Sequence, residues 1–150
     1  MTTIKDSVHD HIEVEGVAAA LLDTPPVQRL RNVKQLGTVH LVYPSANHTR
    51  FEHSLGVYHL ADRALDHLGI ADSRAERVRA AAILHDIGHS PFSHNVEDLV
   101  ERRVGKRHDD VDDLLASGRV ADVLETHGID PGTIADLVAG NGELAQLVAG

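Results

Sequence analysis

The stretch that decides the fold is residues 79–94, which read RAAAILHDIGHSPFSH. Its first half is small and apolar, as expected of a helix that is buried on most of its sides. The helical pattern then ends in His85 and Asp86. His89 follows four residues after His85, which would place these two histidines on the same face of a helix. Burying a carboxylate is costly unless a cation or good hydrogen bonds compensate it. The stretch therefore indicates a metal site, and the alternative is a helix end whose His-Asp pair only hydrogen-bonds the backbone.

A second amphipathic helix is indicated upstream, where residues 47–57 read NHTRFEHSLGV. Apolar residues recur there and beyond at helical spacing, and His53 lies among them. The His-Asp pair is therefore not isolated in the sequence, which favours the metal site over the simple helix end.

These two motifs together resemble the HD superfamily of metal-dependent phosphohydrolases. Further short motifs are similar to its deoxynucleoside triphosphate triphosphohydrolase (dNTPase) branch, the type with sterile alpha motif and HD domains: TP at 24–25, QRLR at 28–31, KQLG at 34–37 and PFSH at 91–94. The likeness covers roughly residues 6–109. It implies an all-α fold, an HD-domain helical bundle with at most one short extended strand, and a single HD-type domain over residues 1–150.

The resemblance implies that His53, His85 and Asp86 are ligands of a divalent metal ion, with iron, manganese, nickel, zinc and magnesium as the open choices. A fourth ligand, an aspartate much further along the chain, belongs to the same pattern. The later aspartates of this sequence stand in no matching context: Asp122, Asp130 and Asp136. We therefore expect the domain to be truncated at its C-terminus.

The resemblance assigns catalytic work to five further side chains: Arg50, His89, His94, Glu97 and His108. Arg50 is expected to hold a phosphate, which suits a planar guanidinium with paired donors; its alternative role is a surface salt bridge with Glu52 or Asp86. The three histidines are expected along the triphosphate. His94 is the expected proton donor to the leaving oxygen, because an imidazole titrates near neutral pH, and Glu97 would orient it.

Two more groups of residues match the family at positions that bind nucleotides. Gln35 and Leu36 match positions that read the sugar of the substrate. Asp23, Gln28 and Arg31 match positions that hold the base of a regulatory nucleotide between subunits. The resemblance thus implies a nucleoside triphosphate substrate and a homo-oligomer in the full-length protein.

The implied reaction is hydrolysis of a deoxynucleoside triphosphate to a deoxynucleoside and triphosphate. Two alternatives stay open at this point. The chain could be a catalytically incomplete module that binds a metal or a nucleotide. It could also be an HD phosphodiesterase that acts on another phosphate ester, with the same metal ligands.

Composition limits these interpretations. The 150 residues are 42% hydrophobic, enough for a domain with a real core. The absence of cysteine excludes thiolate ligands and disulfides. A net charge of -9 argues against general nucleic-acid binding, although a basic strip at residues 29–34 could attract triphosphate. No apolar run approaches the roughly 18 residues that span a membrane, so we expect a cytoplasmic protein without a membrane partner.

Hydrophobic periodicity and capping residues predict helices along almost the whole chain. They are expected at residues 14–22, 25–35, 49–68, 73–87, 93–104, 111–116, 119–126, 131–139 and 142–149. The one extended segment is predicted at residues 39–43, where β-branched residues alternate weakly.

Overall fold

Helices make up most of the described chain, which in this computed structural model comprises residues 1–90, 92, 96–105, 107 and 111–149. An antiparallel hairpin precedes them, formed by β1 (Thr2–Asp6) and β2 (Asp10–Val14). The α-helices follow as α1 (Gly16–Leu22), α2 (Pro25–Arg29), α3 (Arg50–Leu68), α4 (Ser73–Leu84), α5 (Glu97–Val104), α6 (Asp112–Leu115), α7 (Gly118–Thr126), α8 (Pro131–Val138) and α9 (Gln146–Ala149). The all-α helical bundle that the sequence predicts is confirmed. Within the described residues, no helix has both the length and the apolar character needed to cross a membrane.

Helix α4 lies at the centre of the bundle and packs against α1, α3, α8 and α9. Residues 80–84, three alanines followed by isoleucine and leucine, are fully buried. The small alanine side chains let the neighbouring helices approach closely, and Asp72 caps the first turn by accepting a hydrogen bond from the backbone N–H of Arg74 at 2.9 Å. The C-terminal end of α4, after which His85 and Asp86 follow, is therefore buried among the neighbouring helices.

Helix α3, the longest, is capped at both ends. The hydroxyl of Thr49 accepts a hydrogen bond from the backbone N–H of Glu52 at 3.3 Å. At the other end Gly69 adopts a φ of 68°, the left-handed conformation that commonly terminates a helix. The two caps determine where α3 begins and ends. The first turn of the helix carries His53 towards the end of α4.

The β1–β2 hairpin covers one side of this helix pair. Ile12 and Val14 on β2 are fully buried, and β2 contacts α3. The turn is organised by Asp6, whose Oδ2 accepts the backbone N–H of His9 at 2.8 Å. Asp10 then adopts a φ of 63°, a left-handed conformation that aspartate tolerates better than most residues.

The extended structure lies elsewhere than the sequence predicts. Residues 39–43 form no strand; Val39–Leu41 is a 3-10 turn because its backbone groups bond locally, with the N–H of Val42 donating to the carbonyl of Val39 at 3.0 Å. The hairpin at the N-terminus was not predicted, and it takes residue 14 out of the first predicted helix.

Three helix boundaries also differ from prediction. The helix predicted at residues 25–35 ends at Arg29 and continues only as the 3-10 turn Leu30–Asn32, since Val33 is extended. Helix α4 ends at Leu84 rather than at residue 87, and the last helix is only Gln146–Ala149. The predicted start of α5 at residues 93–95 lies outside the described residues.

Candidate metal centre

Three candidate ligands come together where the first turn of α3 meets the end of α4. One ligand atom from each of His53, His85 and Asp86 lies within 4.8 Å of the others. The two imidazole rings are 5.3 Å apart between centroids and meet edge to face. A helix end that only hydrogen-bonds the backbone would account for His85 and Asp86. It does not account for the imidazole of His53, which α3 brings to them.

Asp86 is the most enclosed of the three ligands, with 5% of its side chain exposed. Its Oδ2 lies 3.3 Å from Nη1 of Arg50 and 3.8 Å from Nε2 of His53. Its Oδ1 lies 3.4 Å from Nε2 of His85 and 3.3 Å from Nε2 of His89. Each carboxylate oxygen therefore contacts two nitrogen groups, which is the compensation that a buried carboxylate needs.

The protonation states of the cluster favour a bound cation. Burial by itself raises the pKa of Asp86, but the hydrogen bond from His89 and the charges of His85, His89 and Arg50 outweigh it, and the pKa falls far below its usual range. Burial lowers the pKa of His53, and this effect exceeds the opposing attraction of Asp86. An ionised carboxylate and a neutral imidazole are the forms that bind metal ions.

His85 is oriented by the backbone of α4, the helix that ends just before it. Its Nδ1 lies 2.7 Å from the carbonyl oxygen of Ala82. Because a carbonyl can only accept, Nδ1 carries a proton, and Nε2 is left as the ring atom that can bind a metal ion. This is the backbone support that metal-binding histidines commonly have.

His53 gives the cluster its contact with solvent. Its side chain is 38% exposed and borders a cavity of about 280 Å³ between the hairpin turn and α3. The ligands on the other side of the cluster are more enclosed, since His85 has 13% of its side chain exposed. Small solutes can therefore reach the cluster from the His53 side.

The donor set fits a divalent metal ion. Two imidazole nitrogens and one carboxylate oxygen suit iron, manganese, nickel or zinc, and the donors alone do not choose among them. Among the described residues, the group consists of these three side chains, and the later aspartates do not join it: Asp122, Asp130 and Asp136. Asp130 instead caps α8 by accepting the backbone N–H of Gly132 at 3.3 Å.

Arg50 is placed beside the cluster by the start of α3. Its backbone N–H donates to the carbonyl of Val33 at 2.7 Å, and 4% of its side chain is exposed. Of the salt bridges considered from sequence, the structure forms the one with Asp86 rather than with Glu52, and this ion pair is buried and not on the surface.

Gln35 and Leu36 lie on the segment that pairs with the start of α3. Lys34 forms an isolated antiparallel bridge with Thr49, and the backbone N–H of Gln35 donates to the carbonyl of His48 at 3.0 Å. Gln35 is half-buried, whereas Leu36 is 46% exposed. Backbone bonds thus hold this segment beside the residues that lead into α3, and the role of Gln35 and Leu36 in reading a sugar stays a prediction.

His89 lies next to Asp86, one of the candidate ligands. Its side chain is 2% exposed, and its Nε2 contacts the carboxylate of Asp86. In this position it orients the carboxylate and lowers its pKa. Contact between His89 and a triphosphate stays a prediction.

The remaining catalytic positions are only partly described. Glu97 is buried at the start of α5, and its Oε1 accepts a hydrogen bond from Nη2 of Arg107 at 2.6 Å. His94 and His108 lie outside the described residues. The pairing of Glu97 with His94, and the roles of both histidines, therefore stay predictions.

Two of the three residues predicted to bind a regulatory nucleotide form one surface cluster. Gln28 accepts a hydrogen bond at Oε1 from Nε of Arg31 at 2.8 Å and donates from Nε2 to the carbonyl of Leu22. The guanidinium of Arg31 lies 3.8 Å above the ring of Phe51. Asp23 is exposed at the end of α1. Their regulatory role stays a prediction.

Sequence reasoning assigned no role to one residue that contacts the segment after α4. Arg29 belongs to the QRLR motif at residues 28–31 and to the basic strip at residues 29–34, and neither pattern gives it a function of its own. In the structure its Nη2 donates to the carbonyls of Ile87 at 2.9 Å and His89 at 2.7 Å. Its partners are backbone atoms distant in sequence, so no local pattern distinguishes Arg29 from its exposed neighbours.

The family comparison agrees with this geometry. Residues 50–146 match the model of the HD domain family, and the matched region includes all three candidate ligands. The chain therefore belongs to the HD domain family.

Its relatives include named deoxynucleoside triphosphate triphosphohydrolases. The enzyme SAMHD1 of Homo sapiens is 37% identical over 147 residues, which cover 87% of this chain and 24% of SAMHD1. The SAMHD1 homolog of Dictyostelium discoideum is 38% identical over 137 residues, 85% of this chain and 26% of the homolog. An uncharacterized protein of Methanocaldococcus jannaschii is 47% identical over 97 residues, 65% of this chain and 21% of that protein. The chain thus spans about a quarter of the length of these relatives.

A solved structure shares the fold. The crystal structure of a hypothetical protein from Aquifex aeolicus superposes with a TM-score of 0.80 at 36% sequence identity. The match covers 95% of this chain and 38% of that one.

Proposed function

We propose that this chain carries the metal centre of a phosphohydrolase that converts deoxynucleoside triphosphates into deoxynucleosides and triphosphate. The observation that carries the proposal is the convergence of His53, on the first turn of α3, with His85 and Asp86, which follow the end of α4. Membership of the HD domain family supports hydrolysis as the reaction. The relatives named as deoxynucleoside triphosphate triphosphohydrolases support the substrate class.

The three ligands would hold the metal ion, with a fourth ligand expected from a distal aspartate. When bound, a divalent ion supplies Lewis acidity that polarises water and phosphate oxygens. The chain's own part is to present donors in the right protonation state. Asp86 is held ionised by its nitrogen neighbours, and the bond from Nδ1 of His85 to the Ala82 carbonyl turns Nε2 towards Asp86.

Arg50 would hold a phosphate oxygen beside the metal ligands. Its guanidinium is already fixed there by the ion pair with Asp86, so little conformational freedom is lost when a phosphate binds. Gln35 and Leu36 would contact the sugar. His89 and His108 would lie along the triphosphate.

The reaction replaces one bond at the α-phosphorus. The oxygen of a water molecule bonds to the phosphorus, and the bond from the phosphorus to the 5′ oxygen breaks. The 5′ oxygen takes up a proton, and we assign this donation to His94, oriented by Glu97. The attacking water releases one proton to the surrounding solvent, which balances the proton that His94 gives up. The products are then a deoxynucleoside and triphosphate.

One observation favours a second candidate, a module that binds a metal without turnover. The described residues supply three ligands to the cluster and no fourth. A structural or regulatory centre needs no complete catalytic set. A phosphodiesterase acting on another ester uses the same ligands and is distinguished only by its products.

The test is product analysis with a panel of the four dNTPs in the presence of Mn²⁺. Release of triphosphate and deoxynucleoside, abolished by Asp86→Asn, is the expected result. Release of pyrophosphate or phosphate would replace the proposal by another phosphohydrolase activity. Mn²⁺ binding without any release would favour the binding module, and absence of Mn²⁺ binding would contradict both.

Three further features belong to the proposal and not to the observations. We propose a homo-oligomer, because Asp23, Gln28 and Arg31 match positions that hold a regulatory nucleotide between subunits. We propose free nucleoside triphosphates as the binding partners, and a cytoplasmic location where they are abundant.

A further inference from the structure

The segment that carries two of the candidate ligands, His85 and Asp86, follows the last residue of α4. We call residues 85–89 the HD turn. Within it, the backbone N–H of Ile87 bonds to the carbonyl of Leu84 at 3.2 Å and that of His89 to the carbonyl of Asp86 at 3.1 Å. The carbonyls of Ile87 and His89 lie beyond the end of α4, and each accepts a hydrogen bond from a side chain outside the HD turn.

Arg29 supplies the donor for both of these carbonyls. Its Nη2 lies 2.9 Å from the carbonyl oxygen of Ile87 and 2.7 Å from that of His89. One cationic nitrogen thus bridges the two residues that flank Gly88. Hydrogen bonds from a charged donor are about twice as strong as neutral ones.

The position of Arg29 is itself fixed by the core. Val27 and Leu30, on either side of it in the sequence, are fully buried. Burial also lowers the pKa of Arg29, which still leaves the guanidinium charged at neutral pH. The core thus holds the backbone on both sides of Arg29, while the residue itself is partly exposed and reaches the HD turn with its guanidinium.

We infer that Arg29 is a positioning residue for the metal centre: by clamping the carbonyls of Ile87 and His89 it fixes the direction of the Asp86 carboxylate. Outer-shell groups of this kind typically change metal affinity by about 10- to 100-fold when they are removed. The inference rests on the metal centre proposed above. It adds a residue outside the ligand set, which acts only through the backbone.

The experiment compares Mn²⁺ affinity, measured by the electron paramagnetic resonance of free Mn²⁺, in four forms of the chain. Arg29→Met keeps the apolar stem of the side chain and removes its donors, and it should weaken Mn²⁺ binding at least about tenfold. Arg29→Lys restores a charged donor and should recover part of the affinity. Arg119→Gln, an exposed arginine on α7, is the matched control and should bind Mn²⁺ as the unmodified chain does.

Folded Arg29→Met that binds Mn²⁺ as tightly as the unmodified chain would overturn the inference.

A second measurement does not depend on how any variant folds. In the unmodified chain, the clamp requires slow rotation of the Arg29 guanidinium, seen by nuclear magnetic resonance as separate Nη proton signals. A single averaged signal would overturn the clamp. If the unmodified chain binds no Mn²⁺, the metal-centre proposal fails, and the rotation measurement still decides whether the clamp exists.

Discussion

At the scale of single residues, the centre is a balance of charge around one carboxylate. Asp86 is buried, and its stability there depends on Arg50 together with three imidazoles, one of them His89. The imidazoles can also serve as ligands or as hydrogen-bond donors, whereas Arg50 keeps its charge at all relevant pH values. Arg50 is therefore the permanent counter-charge of the centre when no metal is bound.

Removing this counter-charge should destabilise the metal-free chain. Arg50→Met leaves the Asp86 carboxylate buried without its permanent partner, and breaking a buried pair in this way costs about 3 kcal/mol or more. Urea unfolding measures the loss. Arg63→Met, an exposed arginine on the same helix, should change the free energy of unfolding by less than about 0.5 kcal/mol. If Arg50→Met also lowers the free energy of unfolding by less than about 0.5 kcal/mol, the histidines alone compensate the Asp86 carboxylate.

A second prediction at this scale concerns the tautomer of His85. The contact between its Nδ1 and the Ala82 carbonyl requires the proton on Nδ1. Nitrogen chemical shifts of the metal-free chain in mildly alkaline buffer should show this tautomer for His85. Protonation on Nε2 instead would remove the lone pair that the metal centre needs and would contradict the ligand assignment.

At the scale of the elements, the start of α3 matters more than its length. Thr49 caps the helix, and the next turn carries both Arg50 and His53. Whatever frays the first turn of α3 should therefore loosen the metal centre, while fraying at the other end should leave it unchanged.

The cap can be tested by a pair of substitutions. Thr49→Ala removes the hydroxyl that accepts the N–H of Glu52, and the loss of such a cap costs about 1 kcal/mol in the free energy of unfolding. Thr49→Ser keeps the hydroxyl and should retain most of the stability. Urea unfolding of both variants measures the difference, and equal losses in the two would show that the hydroxyl is not the source.

The hairpin adds a pH dependence to α3. His9 at its turn lies against His59 on α3, with 4.7 Å between the ring centroids. Burial lowers the pKa of His59, and the charges of His9 and Arg63 lower it further against the opposing charges of Asp62 and Asp6. The folded chain therefore binds this proton less readily than the unfolded chain does, and its stability falls as the pH drops below the ordinary value of 6.5.

This dependence should be visible in the free energy of unfolding between about pH 5 and about pH 8. The unmodified chain should lose stability towards the acid end more steeply than His59→Gln. His67→Gln, an exposed histidine on α3, should keep the slope of the unmodified chain. If the stability of His59→Gln falls with pH as steeply as that of the unmodified chain, the lowered pKa of His59 is not the source of the pH dependence.

At the scale of the whole molecule, the sequence predicted the helical core better than its connections. The buried α4, the capped α3 and their His and Asp side chains follow from periodicity and capping residues, and the structure brings these side chains together. The hairpin was missed although Ile12 and Val14 alternate with polar residues, because the two strands are short and only their pairing across a turn distinguishes them from a loop.

The connections around the site depend on contacts that one sequence does not reveal. Gln35 is placed by a backbone bond to His48, and the HD turn by the side chain of Arg29. Such bonds use backbone atoms, which every residue has, so no residue type identifies them. Ligands, in contrast, need imidazoles and carboxylates, and that chemistry is visible in the sequence.

The most direct test of the central claim is the pulsed electron paramagnetic resonance spectrum of the chain loaded with Mn²⁺, which detects nitrogen atoms bonded to the metal. The account predicts coupling to two imidazole nitrogens, from His53 and His85. In His53→Gln one of the two couplings should disappear. No nitrogen coupling in the unmodified chain, or a spectrum that His53→Gln leaves unchanged, would show that these helices do not build the metal centre.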